Sequence, residues 1–303
     1  MTKIFTVELK RFLWRRSFRL FGALALAGIA LAAVIVFFWS DPISRGSEEP
    51  AYRAALEGCI DDHGTEGAAQ LPPGYESGEE FCSDTIPVEA FDHTFHLTTL
   101  EEIFGGTSVP LIILGLAIGA SFIGAEWHAG TVTTFLTWEP RRVRLMLGKV
   151  AAAMVGVVLF AAAIQSILGL VLWLVAALRG STAGADAAWF ADTVAVLARG
   201  VVIAGLAAAI GFALASAARN TTTALIIGFV YFAVAEAILR GLRPNWQPWL
   251  IGDNAAAFVS ADPASIFSPG NSHGVLTSLL VVVGYAFVLV ALATATFRAR
   301  DVT

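Results

Sequence analysis

The sequence predicts an all-α integral membrane protein with six transmembrane helices, and three observations carry that reading. The 303 residues are 57% hydrophobic and only 14% charged, where soluble domains carry roughly 25% charged residues. The mean hydropathy is +0.73. Six apolar runs fall near the length of about 20 residues that a helix needs to cross a bilayer core. The charge is also divided. Residues 40–106 hold 15 acids and two bases, a net −13, while the other 9 acids and 17 bases give +8. Opposite bias in different segments fits a polytopic chain. A soluble protein with one acidic loop leaves the apolar runs unexplained.

Residues 1–19 read as an amphipathic interfacial helix. Glu8, Arg11, Arg15 and Arg19 recur at helical spacing on one face, and Phe5, Leu9, Phe12 and Leu13 on another, a pattern suited to the headgroup plane. A plain basic flank that sets topology is the alternative. Span one is 20–39, ended by Asp41-Pro42. Residues 40–106 form the acidic extracellular loop with its two cysteines, Cys59 and Cys82. An oxidising compartment favours a disulfide between them. Span two is 107–125, with Pro110 in its first turn. Residues 126–146 are a cytoplasmic segment, span three is 147–178, span four 193–217 and span five 222–239. Asn220 starts that fifth helix as its cap. Residues 240–274 are extracellular. Their prolines suit short re-entrant or interfacial helices better than a full crossing, with an ordinary capping loop as the alternative. Span six is 275–297, and 298–303 form a cytoplasmic tail.

Orientation follows from Lys and Arg. With both termini cytoplasmic, 13 basic residues face inward and six outward, as the positive-inside rule requires. The expected location is a bacterial cell membrane. Gly115/Gly119 and Ala204/Ala208 are small-x-x-x-small pairs that permit close helix contact, with a dimer interface as one use of the glycine pair. Arg199 and Glu236 sit at similar depth near the outer ends of spans four and five, where an ion pair between them is the candidate reading and snorkelling of both to the headgroups the alternative.

No catalytic constellation is evident. Gly148-Lys149 is followed by Val150, so the hydroxyl that ends a nucleotide-binding loop is missing. There is no H-E-x-x-H or C-x-x-C pair, and no metal or cofactor is expected. His93 and His96 read as part of a solvated loop. No nucleic-acid partner is expected.

The informative stretch joins spans two and three. It reads Gly124-Ala125-Glu126-Trp127-His128-Ala129-Gly130-Thr131, then Leu136, Pro140-Arg141-Arg142 and Gly148-Lys149. A span ends in an acid, a Gly-Thr pair follows, and a proline-arginine turn precedes a lysine in the next span. Glu126 needs a cationic partner, with Arg141, Arg142, Arg144 and Lys149 as candidates. Pro140 suits a first helical turn, whereas arginines there oppose the helix dipole. Pairing with Glu126, docking on an acidic partner and setting topology are the available reasons for them.

This order resembles the permease subunits of type-2 ABC exporters, and the similarity extends to the basic amino-terminal helix, the six spans and the large loop after the first. The resemblance implies a chain that hydrolyses no ATP itself. It implies that Glu126, Gly130, Thr131, Pro140, Arg141, Arg142 and Lys149 couple to a cytoplasmic ATPase. The implied assembly is two ABC ATPase subunits with a second copy of this permease, or a related one, in membrane lipid. The cargo would be a drug, lipid or peptide. The alternatives are a secondary transporter, which needs acids or broken helices near the midplane, and a receptor or sensor using the acidic loop. Away from their ends the spans carry almost no charge, and Gln165 is the main polar exception.

Overall fold

The computed structural model describes residues 2–40, 50–63, 75, 77–87, 91, 93–131, 141–261 and 273–299. Among these residues there is no β-strand, only an isolated parallel bridge between His96 and Ser181. The helices are α1 (Thr2–Leu13), α2 (Arg16–Trp39), α3 (Pro50–His63), α4 (Gly78–Thr85), α5 (Leu100–His128), α6 (Arg142–Arg179) and α7 (Ala187–Ala218). They continue with α8 (Thr221–Phe229), a π-helical stretch Val230–Ala235, α9 (Glu236–Leu242), α10 (Ile251–Ser260) and α11 (Val275–Ala299). Six helical stretches are long and apolar enough to cross a membrane: Phe18–Trp39, Leu97–His128, Arg142–Arg179, Ala187–Ala218, Thr221–Leu242 and Val275–Ala299. The described residues are thus all-helical, with the six candidate spans of a multi-pass membrane protein.

Helix ends depart from the hydropathy boundaries for local reasons. α5 starts at Leu100 rather than Thr107, with Glu101 and Glu102 in its first turn, where acids favour the helix dipole. Pro110 is therefore interior to α5. Just ahead of it, Thr107 Oγ1 and Ser108 Oγ donate to the carbonyls of Ile103 and Phe104, both at 2.7 Å. α6 starts at Arg142 rather than Leu147. α8 starts where its cap predicts: Asn220 Oδ1 accepts from the N–H of Thr222 at 2.7 Å and of Thr223 at 3.2 Å. Arg219, at φ 54, makes the tight reversal from α7. Between residues 240 and 274 lie a 3-10 turn, Pro244–Trp249, and the ten-residue α10. Short helices, not a capping loop, fill the described part of this segment. Pro263, Phe267 and Pro269 lie outside the described residues, as do Asp41-Pro42, Asp92 and residues 300–303.

The fold divides into two compact units. One comprises Met1–Ala27, Glu101–Ile167 and Ala187–Thr303. Its most buried helix is α7, 78% of whose apolar window is covered. Phe122, Met146, Val157, Ala208 and Phe212 lie in its core. The two small-residue pairs meet each other here. A Cβ built on Gly115 lies 2.4 Å from the carbonyl oxygen of Ala204, and one on Gly119 lies 2.0 Å from that of Ala208. A use of the glycine pair between copies is therefore corrected: both glycines are consumed by the α5–α7 contact within one chain. Gly119→Ala is expected to destabilise the protein by about 1–3 kcal/mol through overpacking. Gly284→Ala, with nothing within 4 Å of its Cβ, should leave the melting temperature unchanged or raised. Thermal melts of the two purified variants make the comparison.

The other unit comprises Gly28–Leu100 and Leu168–Asp186. A disulfide joins Cys59 on α3 to Cys82 on α4, the pairing expected of the only two cysteines. Closing a loop of that size restricts the unfolded chain by roughly 3 kcal/mol. Tyr52 packs edge-on to Phe91 at 5.6 Å. Ser40 ties two strands of chain together: its Oγ donates to the carbonyl of Arg179 at 2.5 Å and accepts from the N–H of Phe95 at 3.0 Å. The N–H of Leu97 and that of Ser181 complete the join, donating to Ser181 O and Phe95 O, each at 2.9 Å.

Candidate functional site

The end of α5 gathers four buried or part-buried charges from three helices and the α1–α2 link. Glu126 and Lys149, on α5 and α6, are 7% and 2% exposed, and Glu8 of α1 is 3% exposed. Lys149 Nζ lies 3.0 Å from Glu8 Oε2 and 2.9 Å from Glu126 Oε2, and donates a hydrogen bond to Glu126 Oε1 at 3.0 Å. Arg15, between α1 and the second helix's apolar stretch, reaches the same carboxylate: its Nη2 is 3.3 Å from Glu126 Oε1, while Nη1 donates to Ser121 O at 3.1 Å. The ring of Phe122 underlies both cations, 4.6 Å from the Arg15 guanidinium and 5.6 Å from Lys149 Nζ. Two acids and two bases cancel. Burial pulls the Arg15 pKa below its ordinary value, and Glu126 and Glu8 pull it back up; an arginine stays charged throughout.

The neighbouring residues frame the same point. Trp127 packs edge-on to Phe297 of α11 at 6.0 Å and under the Arg219 guanidinium at 4.8 Å. A Cβ on Gly124 would meet Thr221 Oγ1 at 2.1 Å, so the start of α8 sits directly on α5. Gly130 ends α5 in the left-handed region, at φ 66, a conformation glycine adopts without a Cβ penalty. Thr131 Oγ1 folds back to the carbonyl of Glu126 at 3.4 Å. α1, α6, α8 and α11 therefore all converge on the last turn of α5.

The structure sorts the residues singled out from the sequence. It brings Glu126 and Lys149 together: of the four cations that the sequence offered, Lys149, not Arg141, Arg142 or Arg144, pairs with Glu126, and Arg15 joins it there. Arg142 instead donates to the carbonyls of Phe297 and Arg298, both at 3.4 Å, covering the carbonyl end of α11. Arg141 is exposed at the start of α6. Gly130 ends α5, and Thr131, just beyond it, bonds back to the carbonyl of Glu126. Pro140, with residues 132–139, lies outside the described residues. The polar face assigned to α1 is also corrected, because Glu8 points into the protein rather than toward headgroups. Sequence reading missed Glu8 and Arg15 as members of this cluster. A signal existed: Glu8 is the single acid among six bases in the first 19 residues.

The candidate Arg199–Glu236 pair is not formed. Glu236 Oε1 accepts from the N–H of Gly252 in the first turn of α10 at 2.8 Å, and its Oε2 lies 3.8 Å from Arg240 Nη2. Arg240 also grips Asp253, with Nη2 2.5 Å from Oδ1 and Nε 3.4 Å from Oδ2. Glu236 thus takes the nearer arginine, one helical turn away, and a helix N-terminus that favours an anion. Gln165 is fully buried, with Thr107 Oγ1 3.2 Å from its Oε1. Among the described residues no three His, Cys, Asp or Glu side chains cluster as metal ligands. No protein-family model matches the chain, and no curated protein matches it.

Proposed function

We propose that this chain is the membrane-spanning subunit of an ATP-binding-cassette exporter of the type-2 class. The observation that carries the reading is the buried four-charge cluster. It binds the amino-terminal helix, the end of α5 and the start of α6 into one joint, and the segment between α5 and α6 leaves directly from that joint. A push on residues 126–149 is then delivered to several helices at once, which is the property a coupling segment needs. The chain has no nucleotide-binding loop of its own, so the energy enters through separate cytoplasmic ATPase subunits, two per transporter. A second copy of the permease, or a related one, completes the assembly. Nucleotide binding shifts the permease because the ATPase pair holds its closed form more tightly than its open one.

Arg141 tests the reading without disturbing the joint. Its side chain is exposed and it is not one of the cations on Glu126, and a melt of Arg141→Glu beside wild type checks that the fold is kept. Reversed charge at a docking surface costs several kcal/mol, so ATPase co-purified from native membranes should fall by at least about tenfold. Undiminished co-purification counts against the proposal.

One feature favours the secondary-transporter reading: Glu236 and Asp253, each 2% exposed, stand where a π-helical stretch and the short α10 interrupt the regular helix pattern. Solute movement into vesicles containing this chain alone, driven by a proton gradient, would decide for that alternative.

A further inference from the structure

Between the start of α6 and the last three turns of α11 runs an open groove of about 600 Å³. Val143 and Leu147 line one side, Phe287, Ala291 and Ala295 line the other, and Arg298 closes one end. Phe287, Leu147 and Arg298 are all exposed. We propose that this groove holds one acyl chain of an anionic phospholipid, with the lipid phosphate on Arg298. The inference is separate from the coupling role and stands whether or not that role is correct.

Three features select this occupant. The first is length. From Phe287 to Arg298 the helix rises about 16 Å at 1.5 Å per residue, and one leaflet of a hydrocarbon core is roughly 15 Å deep. A single chain entering at the headgroup level fills the slot and stops at the midplane. The second is lining. The walls are apolar, and two of the α11 residues are the small Ala291 and Ala295; a volume of about 600 Å³ is too small for a helix about 10 Å across over that length. The one hydroxyl among the residues lining the groove, Thr294 Oγ1, already donates to the carbonyl of Val290 at 2.7 Å. The third is charge. Helix carbonyl ends repel anions, but here Arg142 donates to the carbonyls of Phe297 and Arg298. That neutralises the repulsion and leaves the Arg298 guanidinium facing an anion, for which its fork geometry is suited.

The test uses the purified full-length protein, delipidated in detergent and titrated with dioleoyl phosphatidylglycerol or dioleoyl phosphatidylcholine, with bound lipid read by native mass spectrometry. Wild type should retain the first lipid roughly tenfold more tightly than the second, the scale of one charge-assisted contact. Arg298→Gln should bring phosphatidylglycerol down to the phosphatidylcholine level. Ala295→Trp, which fills the groove, should lower retention of both. Arg243→Gln, a cation outside the groove, should change neither. Equal retention of the two lipids by wild type overturns the proposal. So does a phosphatidylglycerol preference that survives Arg298→Gln, or an Ala295→Trp protein that keeps its lipid but loses a dimer, which would mark the groove as a contact between copies. Should Ala295→Trp fail to fold, the surface change Arg298→Gln decides alone.

Discussion

Lys149→Ala is expected to lower the melting temperature of the purified protein by roughly 6–20 °C. Among the described residues, Lys149 is the only cation paired with both Glu8 and Glu126, at 3.0 and 2.9 Å. Its removal leaves two buried carboxylates, Glu126 with Arg15 at 3.3 Å and Glu8 with only the half-exposed Arg11 at 3.4 Å. Deleting one member of a buried ion pair costs about 3–5 kcal/mol, because the remaining charge is left uncompensated. In chains of this general size each kcal/mol moves the midpoint by about 2–4 °C. The size of the loss is not the net worth of the cluster, since an apolar replacement of all its members can be neutral. Glu8→Gln combined with Lys149→Met should therefore melt closer to wild type than Lys149→Ala does. Arg11→Ala should move the midpoint little, because the Arg11 side chain is 49% exposed and 3.4 Å from Glu8, and exposed pairs contribute about 0–1 kcal/mol. A Lys149→Ala protein that melts with wild type would show that the cluster is not a joint.

How much of this was legible beforehand depends on the range of the interaction. The six spans were, because each is written in about 20 consecutive residues of apolar chain. The disulfide was, because only Cys59 and Cys82 are available. The start of α8 was, because Asn220 caps N–H groups two and three residues away. The ends of α5 and α6 were not: Glu101 and Glu102 extend α5 by a dipole effect that hydropathy does not register, and Arg142 lengthens α6 while reaching α11. Glu126 and Lys149 could be named as polar residues bracketing one segment. Glu8 and Arg15 could not be joined to them, since those contacts close over more than a hundred residues. The Gly115/Gly119 pair shows the limit of a motif. Its spacing announces a close approach but carries no information on the partner, which proved to be Ala204 and Ala208 of the same chain.

At the other polar centre, Arg240→Ala is expected to cost about 1.5–3 kcal/mol, less than Lys149→Ala because the Arg240 side chain is 39% exposed, and Arg199→Ala less again. Asp253 is 2% exposed and is held by two nitrogens of one guanidinium, a bidentate grip that only arginine supplies. Arg240→Lys should therefore recover only part of the loss. Removing Arg240 also takes the nearest cation from Glu236, leaving that carboxylate on the Gly252 N–H and the Tyr231 hydroxyl. Double-mutant cycles separate the two arginines. The Arg240→Ala, Asp253→Ala cycle should show a coupling of about 1–3 kcal/mol, the range for residues in one ion network. The Arg199→Ala, Glu236→Ala cycle should be additive within about 0.5 kcal/mol, as for residues that share no partner. A large coupling between Arg199 and Glu236 would restore the pairing that hydropathy depth suggested and would require the α9–α10 corner to rearrange in the membrane.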